Sequence, residues 1–469
     1  MVDRPPHGPS SSFQVNRDRI PSQGWTHVGG QPVVLFDTSS SATPFSRRLF
    51  EATFYVHVFV VAALAVYLTI RGFFSGNARH FPPMKWFPPL FVATGSGVMT
   101  ALAWHCFIRC SPIRAVKAVF WLSPVMTFAT GILFVLIQSA SSLGIGIVGI
   151  VSSIAQFFYY AWVKTQVNYC AKIVSVSTAE SPACTAPATL LAIIAATLYS
   201  SLLVSGIGGA MTIGTRWDIL FIFIMIVSLI WTLHTIKYML QTMVANIKYL
   251  HFAGGGNIHT CQALGVTLKY LVGSIALGSA MIPVFSFLRG SARGVIFVAA
   301  GTDEFLCSFA DCYLRVATTL TTYGNQYGFV YLGVYNIGIV QASRDAWELF
   351  RRSGIEELIK SDQTSLFCSF AGVTGGAVSA LVSGSWMLAT HQDHATQAAV
   401  YSLVIGYLMV RIGTAWAPAS VTAYYIAYGE NPQSTHFDAT IPSRLEVMNR
   451  ERELRHRQAG TRESRTSKS

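Results

Sequence analysis

The stretch Tyr270–Pro283 has the sequence Tyr-Leu-Val-Gly-Ser-Ile-Ala-Leu-Gly-Ser-Ala-Met-Ile-Pro. Two Gly-Ser pairs, Gly273-Ser274 and Gly278-Ser279, lie five residues apart in an otherwise apolar run. In a lipid bilayer small residues let helices approach closely, and serine hydroxyls can satisfy loosened backbone groups. Because Gly and Pro weaken a helix, the stretch predicts a membrane helix that is broken or kinked here. Broken membrane helices are typical of transporter substrate sites.

The composition of the whole chain also indicates a membrane protein. Hydrophobic residues make up 52% of the 469 residues and charged residues only 12%, whereas soluble domains carry about 25% charge. Most of the excess Lys and Arg behind the net charge of +12 falls in the tails and short loops. This distribution suits a protein facing anionic lipid and argues against a nucleic-acid partner.

Windows of about 20 apolar residues recur between two polar ends. They predict an all-α, polytopic membrane helix bundle of about ten transmembrane helices. The predicted domains are a disordered cytosolic tail at 1–48, a transmembrane transporter domain at 49–428 and a cytosolic tail at 429–469. The predicted spans lie near 50–70, 88–108, 118–138, 143–163, 187–207, 218–240, 266–288, 323–343, 364–388 and 398–420.

An even number of spans places both ends of the chain on the same side of the membrane. The basic loop Arg109–Lys117 lies on that side, which predicts cytosolic termini by the positive-inside rule. The loop at 71–87, with three basic residues, argues weakly the other way. Residues 289–322 mix charged residues with short apolar runs, so they predict an interfacial helix, a re-entrant piece or part of a kinked span.

The order of motifs after Tyr270 resembles the choline transporter-like family, the solute carriers of choline and related amines. The Gly-Ser pairs are followed by Cys307 and Cys312, by Asn325-Gln326-Tyr327, and by an Ala-Ser-Arg-Asp-Ala-Trp run at 342–347. The resemblance covers about residues 218–430, whereas the first half matches only in hydropathy. It departs from the family at Val340, which replaces a usual cysteine, and at Thr422, which replaces a usual Asp.

The resemblance implies a multi-pass protein of the plasma membrane that carries choline or a related amino-alcohol by alternating access, without ATP. The alternatives are a transporter of another small solute on the same fold, and a membrane enzyme or scaffold that transports nothing. Neither a cofactor nor a metal site is expected, because the sequence contains no zinc-type cysteine spacing and no Walker-type loop. The expected partners are a small-molecule substrate and the lipid bilayer.

Choline is a quaternary ammonium without an N–H donor, so aromatic faces are the groups expected to bind its charge. Tyr323, Tyr327, Tyr331 and Tyr335 recur every four residues, which predicts one stripe on a helix with Asn336 beside it. An aromatic belt at the membrane interface explains the same pattern for any single tyrosine.

A second candidate face lies on the sixth predicted span, where Trp231 and His234 share one side with Tyr238, Gln241 and Lys248. Ordinary packing between helices is the alternative for these side chains. The full set of predicted substrate-binding residues is Trp231, His234, Tyr270, Gly273, Ser274, Gly278, Ser279, Tyr327, Tyr331, Tyr335 and Asn336.

Arg411 is the main internal objection to a cationic substrate. It falls inside the last predicted span, where an isolated charge costs at least ~2.5 kcal/mol on insertion scales. It therefore requires a partner, and if it faced the substrate cavity it would repel a cation. The predicted spans also offer no evident buried carboxylate to attract a cationic substrate.

Overall fold

The computed structural model describes residues 26–28, 31–33, 45–74, 83–179, 185–213, 216–254, 260–299 and 304–466. The chain divides into two compact units, Met1–Ala42 and Thr43–Ser469. The first unit contains an antiparallel pair of short strands, β1 (Thr26–Val28) and β2 (Gln31–Val33), in which Thr26 is opposite Val33. Most of the tail predicted at 1–48 lies outside the described residues, and the first helix begins at Phe45.

The described part of the second unit is helical. Its helices are α1 (Phe45–Phe74), α2 (Pro83–Cys110), α3 (Pro112–Ile137), α4 (Ala140–Ala179), α5 (Thr185–Ile213), α6 (Asp218–Gly254), α7 (Thr260–Val266), α8 (Val272–Ala299), α9 (Glu304–Tyr323), α10 (Gly328–Tyr335), α11 (Ile339–Arg352), α12 (Glu356–Ser361), α13 (Thr364–Thr390), α14 (Ala395–Gly413), α15 (Trp416–Glu430) and α16 (Thr440–Thr466). A π-helical turn joins α7 to α8, and a short 3₁₀ turn precedes α14.

The predicted polytopic helix bundle is confirmed. Nine helical segments among the described residues are long and apolar enough to cross a membrane. Large apolar side chains point outward from them, with Phe59 73%, Val148 65% and Trp162 78% exposed. Such a surface is costly in water and normal against lipid. An odd number of spans would place the chain ends on opposite sides, so cytosolic termini stay a prediction.

The eighth predicted span, at 323–343, is wrong. The chain there leaves α9 at Tyr323, forms the eight-residue α10, and then turns at Asn336, whose φ is +52°. A helix of eight residues is about 12 Å long and cannot cross the membrane. The apolar window was misleading because it joins the end of one helix, a short second helix and the start of a third.

The segment 289–322 divides between two helices rather than forming a span of its own. Helix α8 extends to Ala299, and the amphipathic α9 follows with Asp311 and Arg315 exposed. Because charged residues on one face of α9 interrupt the apolar runs, the sequence did not predict a single kind of element here.

The break predicted between Gly273 and Pro283 is absent, because α8 runs without interruption from Val272 to Ala299. The irregularity lies just before it, at the π-helical turn Thr267–Leu271. Such π-helical turns are rare in proteins as a whole, and many of those known lie at functional sites. The small residues of α8 thus allow close packing within an unbroken helix that contains Pro283.

The last predicted span, at 398–420, contains a break that its apolar window did not indicate. Helix α14 ends at Gly413, and α15 begins at Trp416 after a turn in which Ala417 N–H donates to the Thr414 carbonyl at 3.2 Å. Pro418 fits the first turn of α15, where a missing N–H costs nothing. Helix α15 is buried from Trp416 to Tyr428. The broken α14–α15 pair therefore forms part of the core of the bundle.

Candidate functional site

A carboxylate at the end of α15 gathers tyrosines from two other helices. Glu430 accepts hydrogen bonds from Tyr331 Oη at 3.0 Å and Tyr335 Oη at 3.3 Å, both on α10. Tyr249 on α6 donates a third, short hydrogen bond to it. We call Tyr249, Tyr331, Tyr335 and Glu430 the Glu430 cluster.

The three tyrosine rings stand close to one another as well as to the carboxylate. The ring centroids of Tyr331 and Tyr335 are 5.1 Å apart, and those of Tyr249 and Tyr335 are 6.4 Å apart in an edge arrangement. The hydroxyls of Tyr249 and Tyr335 lie 3.1 Å from each other. A negative charge ringed by aromatic groups has the chemistry that binds organic ammonium ions.

The protonation of Glu430 is held between opposing effects. Burial raises its pKa above the usual range of a glutamate, while the hydrogen bonds from Tyr249, Tyr331 and Tyr335 favour the charged form and pull the pKa back. A cationic ligand beside the carboxylate would favour its charged form.

The sequence predicted half of this cluster. The spacing of four placed Tyr331 and Tyr335 on one face of a helix, as the structure shows. Glu430 was missed because it fell in the tail predicted at 429–469, and Tyr249 because the sixth span was expected to end near 240. The structure thus supplies the partly buried carboxylate that the predicted spans lacked.

The remaining members of the tyrosine stripe lie elsewhere. Tyr327 precedes α10 and packs edge-on against Phe350, with centroids 5.0 Å apart, while Tyr323 ends α9 and is 42% exposed. Asn325 separates them, because its Oδ1 accepts the backbone N–H groups of Tyr327 and Gly328, each at 3.1 Å. Asn336 does lie beside Tyr335, and its buried Oδ1 accepts no hydrogen bond from any residue that the structure describes.

Trp231 and His234 face other parts of the bundle. The Trp231 ring lies 4.7 Å from His57 and 5.7 Å from Phe54 on α1, and its Nε1 donates to the Ala276 carbonyl at 3.2 Å. His234 is hydrogen-bonded through Nδ1 to the Ile230 carbonyl at 2.9 Å. A substrate role for either side chain stays a prediction.

The Gly-Ser pairs of α8 are packed between helices. A Cβ at Gly273 would collide with the backbone carbonyl of Arg47 on α1, and one at Gly278 would lie 3.0 Å from Phe329. Ser279 Oγ is 2.8 Å from Thr235 Oγ1 on α6.

Ser274 is likewise only 4% exposed. Tyr270 lies in the π-helical turn, with Lys269 Nζ 5.3 Å from its ring centre. These positions give the predicted residues a structural part in holding α1, α6 and α8 together, and their contact with substrate stays a prediction.

A second polar region lies at the break between α14 and α15. It is a small pocket between α6, α13 and the ends of α14 and α15. The residues around it are Lys237, Gln241, Gln326, Ser365, Cys368, Arg411, Ala415 and Pro418. We call it the Arg411 pocket. Positions beside a discontinuous membrane helix are where ions and substrates bind in many transporters.

Arg411 has the partners that the sequence required, but they are neutral. Its Nη1 donates to Ser369 Oγ at 3.0 Å and lies 3.5 Å from the Ser365 carbonyl oxygen. The guanidinium borders the pocket, so its positive charge would act against a cationic substrate there. An ammonium ion would therefore be repelled from the Arg411 pocket and attracted to the Glu430 cluster.

Metal-binding groups do not gather in the part of the chain that the structure describes. It contains no group of three His, Cys, Asp or Glu side chains able to hold a metal ion. The described cysteines Cys106, Cys110, Cys170, Cys312 and Cys368 are free thiols.

Comparison with known proteins gives one family. The sequence profile of the plasma-membrane choline transporters matches residues 110–433. The match begins well before residue 218, so the expectation that the first half resembles the family only in hydropathy was wrong.

Several fungal proteins named Protein PNS1 are also similar. The one from Mycosarcoma maydis is 23% identical over 216 residues, which is 43% of this chain and 41% of the relative. The one from Gibberella zeae is 26% identical over 180 residues, 35% of this chain and 33% of the relative. The matched region thus spans less than half the length of these curated relatives.

Proposed function

This chain belongs to the plasma-membrane choline transporter family, and from that membership we propose that it carries choline or a related amino-alcohol across the membrane. The proposed mechanism is alternating access driven by substrate gradients, the membrane potential or ion coupling, without nucleotide hydrolysis. The family is one of transporters, which favours transport over catalysis. The proposed location is the plasma membrane.

The observation that carries the substrate assignment is the Glu430 cluster. A quaternary ammonium binds to aromatic faces with ~2 kcal/mol or more once desolvated, and a nearby carboxylate adds direct attraction. Glu430 supplies the carboxylate, and Tyr249, Tyr331 and Tyr335 supply the aromatic rings. The hydroxyls of the two α10 tyrosines lie 3.0 and 3.3 Å from the carboxylate. Asn336, next to Tyr335, supplies an amide oxygen that can accept a hydrogen bond from the choline hydroxyl.

The arrangement of helices suggests how binding is coupled to movement. The cluster joins α6, α10 and the end of α15, and α15 follows the break after α14. A short helix linked through turns can shift relative to the long spans at low cost. We propose that an ammonium ion seated on Glu430 draws α10 and α15 together and that its release lets them separate.

The direct test is uptake of labelled choline into vesicles that contain the purified protein. Saturable uptake, reduced by unlabelled choline and by ethanolamine, is expected. Empty vesicles and vesicles with a Tyr331→Ala, Tyr335→Ala double variant are the controls, and both should show only background entry. If neither choline, ethanolamine nor their analogues drive uptake or shift thermal stability, the substrate assignment fails and another solute on the same fold is favoured.

A further inference from the structure

Two basic side chains meet in the interior of the bundle at the Arg411 pocket. Lys237 on α6 is 5% exposed, and Arg411 on α14 lines the same space. A guanidinium stays protonated in proteins, so this pocket carries at least one permanent positive charge. We propose that the Arg411 pocket binds a small inorganic anion of the chloride type.

Hydrogen-bond donors in the pocket lack partners. Gln241 is 1% exposed, and its Nε2 makes no hydrogen bond within the part of the chain that the structure describes. Arg411 Nε is buried and likewise unpaired. Buried donors are normally satisfied. An anion accepts hydrogen bonds from several such donors at once and also compensates the charge of Arg411.

No carboxylate among the described residues forms an ion pair with Lys237 or Arg411. Glu348, Glu356 and Glu357 instead pair with basic residues of α11 and α12. Lys237 instead places its ammonium 4.0 Å from the ring centre of Tyr238, and Arg411 contacts Ser369. Both contacts leave the positive charge uncompensated.

The size of the space and the surrounding elements restrict the occupant. The pocket between α6, α13 and the α14–α15 break is small, so it restricts the occupant to a monatomic anion rather than a large organic one. The remaining polar lining, from Gln326 and Ser365, adds groups that can donate to it. An anion here would neutralise the centre of the bundle and lower the electrostatic barrier to a cationic substrate.

The test measures thermal unfolding of the purified, choline-free protein in sodium chloride and in sodium gluconate at equal ionic strength. We expect the melting temperature to rise saturably with chloride or bromide, by at least ~2 °C, and not with gluconate. A general salt effect would not saturate and would be shared by both salts. Equal melting temperatures in chloride and gluconate at every concentration would overturn the proposal.

Charge variants locate the site. Arg411→Gln should weaken the chloride dependence by at least ~tenfold in concentration. The exposed surface variant Arg351→Gln, at a side chain 68% exposed, should leave it unchanged.

Lys237→Glu provides an independent measurement in case Arg411→Gln does not fold. It places a carboxylate in the pocket with Arg411, so its melting temperature should no longer respond to chloride. A wild-type chloride response in the Lys237→Glu variant would contradict the proposed site.

Discussion

Replacing Gly273 by Ala tests whether the Gly-Ser pairs hold helices together or touch the substrate. The added Cβ would lie within contact distance of the Arg47 carbonyl oxygen, 3.0 Å from its carbon and 3.1 Å from Glu51 Cβ. Ordinary carbon contacts are about 3.5–4.0 Å. Because the nearest obstacle is backbone, a side-chain rotation cannot relieve the clash, and α1 must withdraw from α8.

The magnitude follows from that clash. Overpacking of a dense interior costs about 1–3 kcal/mol. The matched control is Gly290→Ala on the same helix, since a Cβ there meets nothing within 4 Å. Alanine at an open helical position gains up to ~1 kcal/mol over glycine. Gly273 is helical as well, so this gain cancels in the comparison, and the two variants should differ by roughly 1–3 kcal/mol.

The assay is thermal unfolding in detergent, paired with choline binding by the fraction that remains folded. Gly273→Ala should unfold several degrees below Gly290→Ala and still bind choline with wild-type affinity. If Gly273→Ala were as stable as Gly290→Ala, the packing interpretation would be refuted. Wild-type stability combined with weakened choline binding would support a direct contact between Gly273 and the substrate.

Two further predictions concern the Glu430 cluster. Tyr335→Phe keeps the ring and removes one hydrogen bond to Glu430, so choline affinity should fall by only ~2–10-fold, whereas Tyr335→Ala should cost more; titration calorimetry on both variants checks this. Choline binding needs the charged carboxylate, and burial raises the pKa of Glu430. Choline affinity should therefore be constant at high pH and fall as the pH drops through that raised pKa, starting above the range of an ordinary glutamate. A pH series of binding isotherms measures this fall. An affinity that does not change with pH in the wild type would contradict the prediction.

Hydropathy predicted the architecture well because a membrane span depends on local composition. Nine of the ten predicted windows coincide with long apolar helices. The failure at 323–343 has a local cause that hydropathy cannot register, namely the left-handed turn at Asn336. The break at Thr414–Ala415 was missed because the hydropathy window runs across it, although Gly413 and Pro418, both poor helix formers, flank it.

The candidate site was only partly predictable, because its members are far apart in sequence. Spacing alone identified Tyr331 and Tyr335. Their contact with Glu430 joins residues about a hundred positions apart, and Tyr249 lies still further from Glu430. Lys237 was overlooked because a single basic residue in an apolar span gives no sign of where it points. Tertiary packing, not local pattern, brings these charges into position.

The most direct test of the central assignment is choline binding by Glu430→Gln, with the exposed Glu446→Gln on α16 as the control. Opposite unit charges ~5 Å apart attract by about 3 kcal/mol at an effective dielectric of ~20. Removing the charge should therefore weaken choline roughly a hundredfold, and at least tenfold, while Glu446→Gln binds as the wild type does. If folded Glu430→Gln bound choline with unchanged affinity, the Glu430 cluster would not be the ammonium site.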